Sequence, residues 1–136
     1  MTNKEYADIL LPGVKHTKEE YEEMYKDRNL NEDAIVTRFA PSPTGFVHIG
    51  GLFTSFIASR FAAQTNGVML LRIEDTDQKR QVENGVSNII RDLNSFNIHF
   101  DEGATGEESE VGNYGPYIQS KRKEFEQFIS RSCSRI

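Results

Sequence analysis

The chain has 136 residues, of which 37% are hydrophobic and 27% are charged, and its formal net charge is −5. This composition predicts a globular protein with one core, and a negative charge without any Lys/Arg block argues against a broad nucleic-acid-binding surface. The single cysteine, Cys133, excludes an internal disulfide and a Cys-rich zinc site, and the lack of a signal peptide or a long apolar run predicts a cytoplasmic protein.

Residues 1–33 form a charged N-terminal extension that is predicted to be helical in its middle part. Thr17 and Glu20 have the spacing of a capping box, in which each side chain accepts a backbone N–H at the start of a helix. Tyr21 and Tyr25 follow at helical spacing. We expect the extension to pack on the rest of the chain through these tyrosines, because it is too acidic for a targeting segment.

A strand, a loop and a helix are predicted in succession from residue 34 onwards. Residues 34–39 are apolar and β-branched, which is typical of a buried parallel strand. Pro41 and Pro43 remove two backbone donors, so the chain is expected to cross the end of the sheet as an extended loop. An apolar stripe predicts a helix over residues 49–65, which places His48 at a helix N-terminus, where a phosphate is readily held.

The next predicted elements continue the alternation of strand and helix. Residues 68–73 are predicted as a second buried strand, and an apolar stripe from Val82 to Leu93 predicts a second helix. A short strand is predicted at residues 98–100, followed by a loop over residues 101–116 that is rich in Gly and Glu. This order of elements is the beginning of a doubly wound α/β domain.

A last helix is predicted after the loop, with Ser120 as its N-cap. Three apolar side chains define its predicted buried face: Phe125, Phe128 and Ile129. Four further aromatic residues are predicted to lie in the core: Phe53, Phe56, Phe61 and Phe96. The closing residues 130–136 lose the amphipathic pattern, which a cut end or a shifted reading frame would explain.

Polar side chains cluster where the two predicted strands end. A βαβ unit brings the carboxyl ends of both strands beside the first helix N-terminus, so Arg38, Ala40, Ser42, His48 and Glu74 are expected to face one crevice. Ordinary structural roles remain open for the three charged or titratable residues. An arginine at a strand end is often a surface ion-pair partner, a histidine at a helix start often caps the helix, and a glutamate can pair with a neighbouring arginine.

Three segments resemble signatures of the glutamyl-tRNA synthetases, a family of class I aminoacyl-tRNA synthetases. The segment PSPTGFVHIG at residues 41–50 resembles that family's version of the HIGH motif, RIEDTD at residues 72–77 matches a second signature, and GPYIQS at residues 115–120 is similar to a third. They occur in the family's order and at roughly its spacing. The resemblance implies the N-terminal half of a class I synthetase Rossmann-like nucleotide-binding domain, with parallel strands and flanking helices.

The resemblance also implies that the chain consists of two parts. Residues 1–33 are expected to be an extension that the family's bacterial members usually lack, and residues 34–136 a truncated N-terminal part of the catalytic domain. Asp75 and Asp77 are expected to be turn and cap residues rather than metal ligands, so no metal site is predicted.

The activity implied by the resemblance is that of a glutamate–tRNA ligase. Such an enzyme activates L-glutamate with ATP, which Mg²⁺ accompanies, to give glutamyl-adenylate and pyrophosphate, and then transfers the glutamyl group to tRNA(Glu). The residues implied as glutamate contacts are Arg38, Ala40, Ser42 and Glu74. Those implied for ATP are Thr44, Gly45, His48, Gly50 and Gly51, of which the last three are also the implied catalytic residues. No membrane association is expected, and a monomer is expected although the sequence does not fix the oligomeric state.

Two departures from the family qualify this interpretation. Gly51 stands where the HIGH motif ends in a histidine, and no lysine-rich KMSKS-like loop is present, so the 136-residue polypeptide alone is expected to be weak or inert.

Three alternatives stay open. They are a glutamyl-queuosine tRNA(Asp) synthetase, a nucleotidyltransferase of the HxGH type, which would lack the second and third signatures, and a non-catalytic nucleotide-binding remnant.

Overall fold

The computed structural model describes residues 3–133, which form a four-stranded sheet and five α-helices. The helices are α1 (Asn3–Leu10), α2 (Lys18–Met24), α3 (Ile49–Gln64), α4 (Gly85–Ser95) and α5 (Lys123–Cys133). The strands are β1 (Val36–Phe39), β2 (Val68–Leu71), β3 (Glu102–Ala104) and β4 (Glu110–Val111). Short 3₁₀ turns lie at Gln78–Arg80 and Gln119–Arg122.

The described residues divide into two compact units. A helical unit contains the chain up to Asp27 and from Lys121 onwards, and a sheet unit contains Arg28–Ser120. The expected domain boundary between residues 33 and 34 stays a prediction, and the two units divide the chain at other positions.

The sheet has the order β1-β2-β3-β4. Strands β1 and β2 are parallel, with Val36 opposite Val68 and Phe39 opposite Leu71, and β2 pairs in parallel with β3. Only β4 runs antiparallel to its neighbour among the described strands. The predicted α/β class, with parallel strands and flanking helices, is therefore confirmed.

The core lies on one face of this sheet, under α3 and α4. Helix α3 turns small side chains towards the strands: Ser55 and Ala62 are buried, and the carbonyl of Ala58 accepts a hydrogen bond from the Thr37 hydroxyl. Buried apolar residues from the strands, α4 and the segments that flank them complete the core: Phe39, Met69, Leu71, Ile73, Val86, Ile89, Leu93, Ile98, Ala104 and Ile118.

The prediction that four phenylalanines lie in the core is wrong. The exposed fractions are 66% for Phe53, 44% for Phe56, 50% for Phe61 and 60% for Phe96. Helix α3 is apolar on all sides and approaches the sheet through its small residues, so its phenylalanines point outwards. Phe96 directly follows the last residue of α4.

Strand β1 is less buried than predicted. It spans Val36–Phe39 rather than residues 34–39, and only Phe39 is buried. The reason is its place in the sheet, because β1 is the end strand of the described sheet and Val36 and Arg38 lie on the face away from α3. A near-continuous apolar run thus indicated the strand correctly but overstated its burial.

The region after α4 was also predicted incorrectly. Residues 98–100 are not a strand, and β3 and β4 lie inside the predicted loop. Pairing with β2 begins at Asp101, whose N–H donates to the Met69 carbonyl (2.9 Å) and whose carboxylate accepts the Met69 N–H (2.8 Å). Strand β3 reads Glu-Gly-Ala, and such residues carry little strand propensity of their own.

The predicted helix boundaries agree with the structure for α3 and differ from it for α4 and α5. The helix predicted at residues 49–65 is confirmed as α3. The start predicted at Val82 is wrong, since Asn84 takes a left-handed conformation (φ 57°) and α4 begins at the next residue. Ser120 does not cap α5 but lies in a 3₁₀ turn, where its N–H donates to Asp75 Oδ1 (2.7 Å), and Ile129 is exposed rather than buried.

The helical unit is held together by aromatic contacts. The capping box of Thr17 and Glu20 is confirmed at the start of α2. Tyr21 is buried, with its ring centroid 4.5 Å from that of Phe128 and stacked on Tyr25 at 6.2 Å. The prediction that these two tyrosines anchor the extension agrees with these contacts, and the surface that receives them belongs to α5.

A network of charged and phenolic groups joins Arg28 to β3 in the sheet unit. The Arg28 guanidinium makes two hydrogen bonds to the Glu102 carboxylate, which lower the pKa of Glu102, and Glu102 Oε2 accepts the Tyr117 hydroxyl at 2.7 Å. Burial and this bond to Glu102 raise the pKa of Tyr117 to about 12. The protonated phenol is therefore stabilised in the folded state.

We expect Tyr117→Phe to remove part of the alkaline sensitivity of the fold. The folded pKa of about 12 lies above the ordinary value of 10.0, so the phenol contributes stability fully below pH 10 and loses it as pH rises towards 12. The effect is on the order of 2 kcal/mol. Urea unfolding of wild type and variant between pH 9 and pH 12 measures it. Tyr6→Phe on α1 is the matched control, and identical pH slopes for wild type and Tyr117→Phe would contradict the prediction.

Candidate functional site

The loop between β1 and α3 is fastened across the carboxyl end of the sheet. The carbonyl of Pro41 accepts the Glu74 N–H (3.0 Å) and that of Pro43 accepts the Val82 N–H (3.1 Å). Pro43 is buried, whereas Ser42 is exposed. The loop bends at residues 43–46, where the Thr44 N–H donates to the Ser42 carbonyl (2.8 Å), and it leaves the Ser42 and Thr44 side chains exposed.

A cleft of about 330 Å³ opens beside this loop. Six of the predicted site residues line it: Ala40, Ser42, Thr44, Gly45, His48 and Gly51. Phe39 and Ile89 contribute apolar walls from β1 and α4. The cleft therefore combines hydroxyl, backbone and imidazole groups with an apolar surface, a combination that is common in small-molecule binding sites.

His48 is the N-cap of α3. Its Nδ1 accepts the Gly51 N–H at 3.3 Å, and its backbone carbonyl accepts the Leu52 N–H at 3.0 Å. An accepting Nδ1 assigns the proton of the neutral imidazole to Nε2, which leaves an Nε2–H donor on an exposed ring. The capping role considered from the sequence is thus observed. It uses Nδ1 as an acceptor and leaves the Nε2–H group available as a donor.

The two glycines after His48 have different structural reasons. A Cβ at Gly50 would lie 3.1 Å from Cε1 and Nδ1 of His48, so glycine gives the capping ring its space. A Cβ at Gly51 would lie 3.0 Å from Val47 and 3.6 Å from Phe39. Gly51 lines the cleft and Gly50 does not.

Arg38 and Glu74 do not line this cleft. Arg38 is exposed and makes no hydrogen bond or ion pair with the other residues that the structure describes. Glu74 Oε1 lies 3.5 Å from an Arg72 guanidinium nitrogen. Arg38 is in register with Leu70, and alternation along β2 and its continuation places Arg72 and Glu74 on the same face as Leu70. The two predicted glutamate contacts therefore share the face of the sheet opposite α3.

One supporting residue was not predicted from the sequence. Asp92, on α4, accepts the Val47 N–H through Oδ2 at 3.2 Å and thereby holds the residue before His48. The contact joins residues 45 positions apart, so no local pattern indicates it. In the sequence, the only sign of this contact is that Asp92 is a carboxylate on the apolar side of an amphipathic helix.

Of the acidic residues after Glu74, Asp75 makes a long-range contact and Asp77 a local one. Asp75 accepts the Ser120 N–H, and Asp77 Oδ2 lies 2.5 Å from Arg80 Nε. This hydrogen bond from Arg80 lowers the pKa of Asp77. Among residues 3–133 no group of three or more His, Cys, Asp or Glu side chains is arranged to hold a metal ion. No helix in that range is both long and apolar enough to cross a membrane.

Comparison with known proteins identifies similar sequences along nearly the whole chain. The family model for the catalytic domain of class I tRNA synthetases (E and Q) matches residues 34–131. A glutamate–tRNA ligase of Clostridium beijerinckii is 53% identical over 124 residues, which are 91% of this chain and 22% of that protein. One from Acetivibrio thermocellus is 51% identical over 132 residues, or 96% of this chain and 24% of that protein.

Solved structures agree with these matches. A glutamate tRNA ligase from Elizabethkingia meningosepticum, crystallised in complex with its amino acid, superposes with a TM-score of 0.67 and 35% identity over 77% of this chain and 20% of that one. This chain thus spans about a fifth to a quarter of the length of its relatives. The Acetivibrio protein also matches most of the N-terminal extension, so the extension has a counterpart in at least that bacterial relative.

We expect Gly85→Ala to displace the loop that forms the cleft. A Cβ at Gly85 would lie 2.7 Å from the Pro43 carbonyl oxygen and 2.9 Å from Pro43 Cβ, so the loop must move. Overpacking of this kind costs about 1–3 kcal/mol of folding free energy. Urea unfolding measures the loss, and hydrogen exchange at the Val82 amide, which bonds to Pro43, should accelerate.

Gly106→Ala is the matched control for this experiment. The nearest atom to its added Cβ is the Ser109 hydroxyl oxygen, which rotation of that side chain can move away. Wild-type stability and Val82 exchange in Gly85→Ala would show that the loop does not depend on this close contact.

Proposed function

Since this chain belongs to the family of class I tRNA synthetase catalytic domains for glutamate and glutamine, we propose that it provides the ATP- and glutamate-binding part of a glutamate–tRNA ligase. Relatives with that name are 51–53% identical to it over almost its full length, which favours this activity over the alternatives considered from the sequence. The observation that carries the proposal is the capped N-terminus of α3, with its exposed imidazole, beside the PSPTG loop and its cleft.

The proposed reaction has two steps. An oxygen of the glutamate α-carboxylate attacks the α-phosphorus of ATP, so that glutamyl-adenylate forms and pyrophosphate leaves. A terminal hydroxyl of tRNA(Glu) then attacks the acyl carbonyl, and AMP departs as the ester forms. Both steps join anions or develop negative charge, so they depend on positioning and on donors aimed at that charge.

The cleft offers such donors for ATP. His48 presents Nε2–H, because its Nδ1 is occupied by the Gly51 N–H, and α3 begins directly behind it with a helix dipole that favours anions. Thr44 is exposed at the cleft and can donate its hydroxyl. We assign the triphosphate to this edge, with Gly45, Gly50 and Gly51 permitting close approach of the backbone.

Glutamate is assigned to the neighbouring strand ends. Arg38 has an exposed guanidinium without a partner among the described residues, and its fork suits a carboxylate. Glu74 shares that face of the sheet and is weakly engaged with Arg72, so its carboxylate suits the ammonium group. Ala40 and Ser42, which line the cleft, connect the two regions.

Mg²⁺ is proposed to enter bound to the ATP phosphates, because the described residues contain no metal-binding cluster. No step is assigned to a protein-bound metal. The tRNA is proposed to bind mainly through parts of the ligase beyond the segment matched here, since the relatives are more than four times as long as that segment.

We expect Arg38→Ala in the complete ligase to impair glutamate use selectively. Loss of a charge-assisted hydrogen bond is worth about 1.5–3 kcal/mol, which corresponds to an increase of about 10–150-fold in KM for glutamate. KM for ATP should stay within about twofold. ATP–pyrophosphate exchange measures both constants, and Arg60→Ala, an exposed arginine on α3, is the matched control. Equal losses for both substrates would contradict the assignment of Arg38 to glutamate.

The 136-residue polypeptide alone is expected to bind without turning over. A non-hydrolysable glutamyl-adenylate analogue should bind it in calorimetry, because the cleft and the strand ends are present. Charging of tRNA should be undetectable, because the sequence has no lysine-rich loop to neutralise pyrophosphate. Clear formation of glutamyl-tRNA by this polypeptide would overturn that expectation.

A further inference from the structure

Arg28 lies outside the family match, which begins at residue 34, and its guanidinium contacts both a carboxylate and an aromatic ring of the sheet unit. Its guanidinium forms a two-pronged pair with Glu102, one bond being Nη2 to Oε2 at 2.9 Å, and it lies 3.8 Å from the centre of the Tyr114 ring. The side chains of Arg28 and Glu102 are only 18% and 15% exposed. Such a pair fixes both distance and orientation.

Glu102, held by Arg28, also bonds to Tyr117. Its Oε2 accepts the Tyr117 hydroxyl, and the same hydroxyl oxygen accepts the Tyr114 N–H at 3.0 Å. The backbone of Tyr117 is also fixed, because its N–H donates to Glu110 Oε1 at 2.9 Å. The phenol of Tyr117 is thus held at its far end by Arg28 through a single carboxylate.

Tyr117 in turn is bonded to the strand end that carries Glu74. The Ile73 N–H donates to the Tyr117 carbonyl and the Gln119 N–H donates to the Ile73 carbonyl, both at 2.9 Å. Glu74 is the next residue along the chain, and its own N–H donates to Pro41 on the other side. The backbone at Glu74 is therefore held between the PSPTG loop and the segment that Tyr117 positions.

We propose that Arg28 is a positioning residue for the amino-acid side of the site, acting through Glu102 and Tyr117 on the backbone that presents Glu74. The inference rests on the function proposed above, in which Glu74 receives the ammonium group of glutamate. A purely stabilising ion pair would be the simpler account, but apolar residues can replace such pairs without loss of stability. Hydrogen bonds connect Arg28 through Glu102 and Tyr117 to Ile73, so the ion pair also affects the backbone beside Glu74.

Kinetics of Arg28→Met in the complete ligase test the proposal. This change removes the guanidinium and keeps an apolar stem, so the carboxylate and the phenol lose their common anchor. We expect KM for glutamate to rise about tenfold, as for loss of one charge-assisted bond, with KM for ATP within about twofold. Arg28→Lys, which keeps the charge, should recover part of the effect, and Arg60→Met is the matched control.

A second variant keeps the proposal testable if Arg28→Met does not fold. Tyr117→Phe removes one hydroxyl and retains the ring, and we expect the same selective rise in KM for glutamate at smaller size. In the 136-residue polypeptide, both variants should accelerate hydrogen exchange at the Ile73 and Gln119 amides relative to those of α3.

The possible outcomes distinguish failure of the proposed function from failure of the positioning role of Arg28. A wild-type enzyme that does not charge tRNA with glutamate overturns the proposed function, and this inference with it. A wild-type enzyme that does so, with variants that change both KM values equally or neither, overturns the inference alone. A fall in kcat with both KM values unchanged shows only loss of folded enzyme and likewise overturns it.

Discussion

The arrangement of the sheet unit depends on holding the start of α3 at the carboxyl end of β1. Two prolines keep the intervening loop from continuing as strand or helix, and the carbonyl of Pro43 is tied to Val82. Gly85 approaches the same proline so closely that a methyl group does not fit. His48 then closes the first turn of α3 with its own ring. The cleft therefore results from the way in which α3 and α4 pack against the loop. The same packing fixes the positions of the polar groups that line the cleft.

The outward face of α3 shows that this packing uses only part of the apolar surface. A helix that is apolar on all sides is normally buried on all sides. Here Phe53, Phe56 and Phe61 are exposed, and β1 is the end strand of the described sheet. The relatives are more than four times as long as the matched segment. In the proposed complete ligase, we expect further parts of the fold to cover this helix face and strand edge, since exposed apolar patches of this kind mark contact surfaces.

Sequence reasoning succeeded where the signal was local and failed where tertiary contacts decide. The capping box at Thr17 and the length of α3 follow from neighbouring residues alone, and both are observed. Burial of Phe53 depends on which side of α3 meets the sheet, which an apolar pattern without a polar side does not specify. Strand β3 has almost no propensity of its own and exists through its register with β2. For the site, the predicted position of His48 at the start of α3 is observed, whereas Arg38 and Glu74, which were expected in the same crevice, do not line the cleft.

The two ends of the N-terminal extension belong to different compact units. Up to Asp27 it packs with α5 through Tyr21, while Arg28 already belongs to the sheet unit and pairs with Glu102 on β3. A weak strand such as β3 gains a fixed position from this pair, and Tyr117 gains one from Glu102. The Acetivibrio relative matches most of the extension, so the extension is not peculiar to this chain. Arg28, which precedes the segment matched by the catalytic-domain family, thus supplies the cation that pairs with a strand inside that segment.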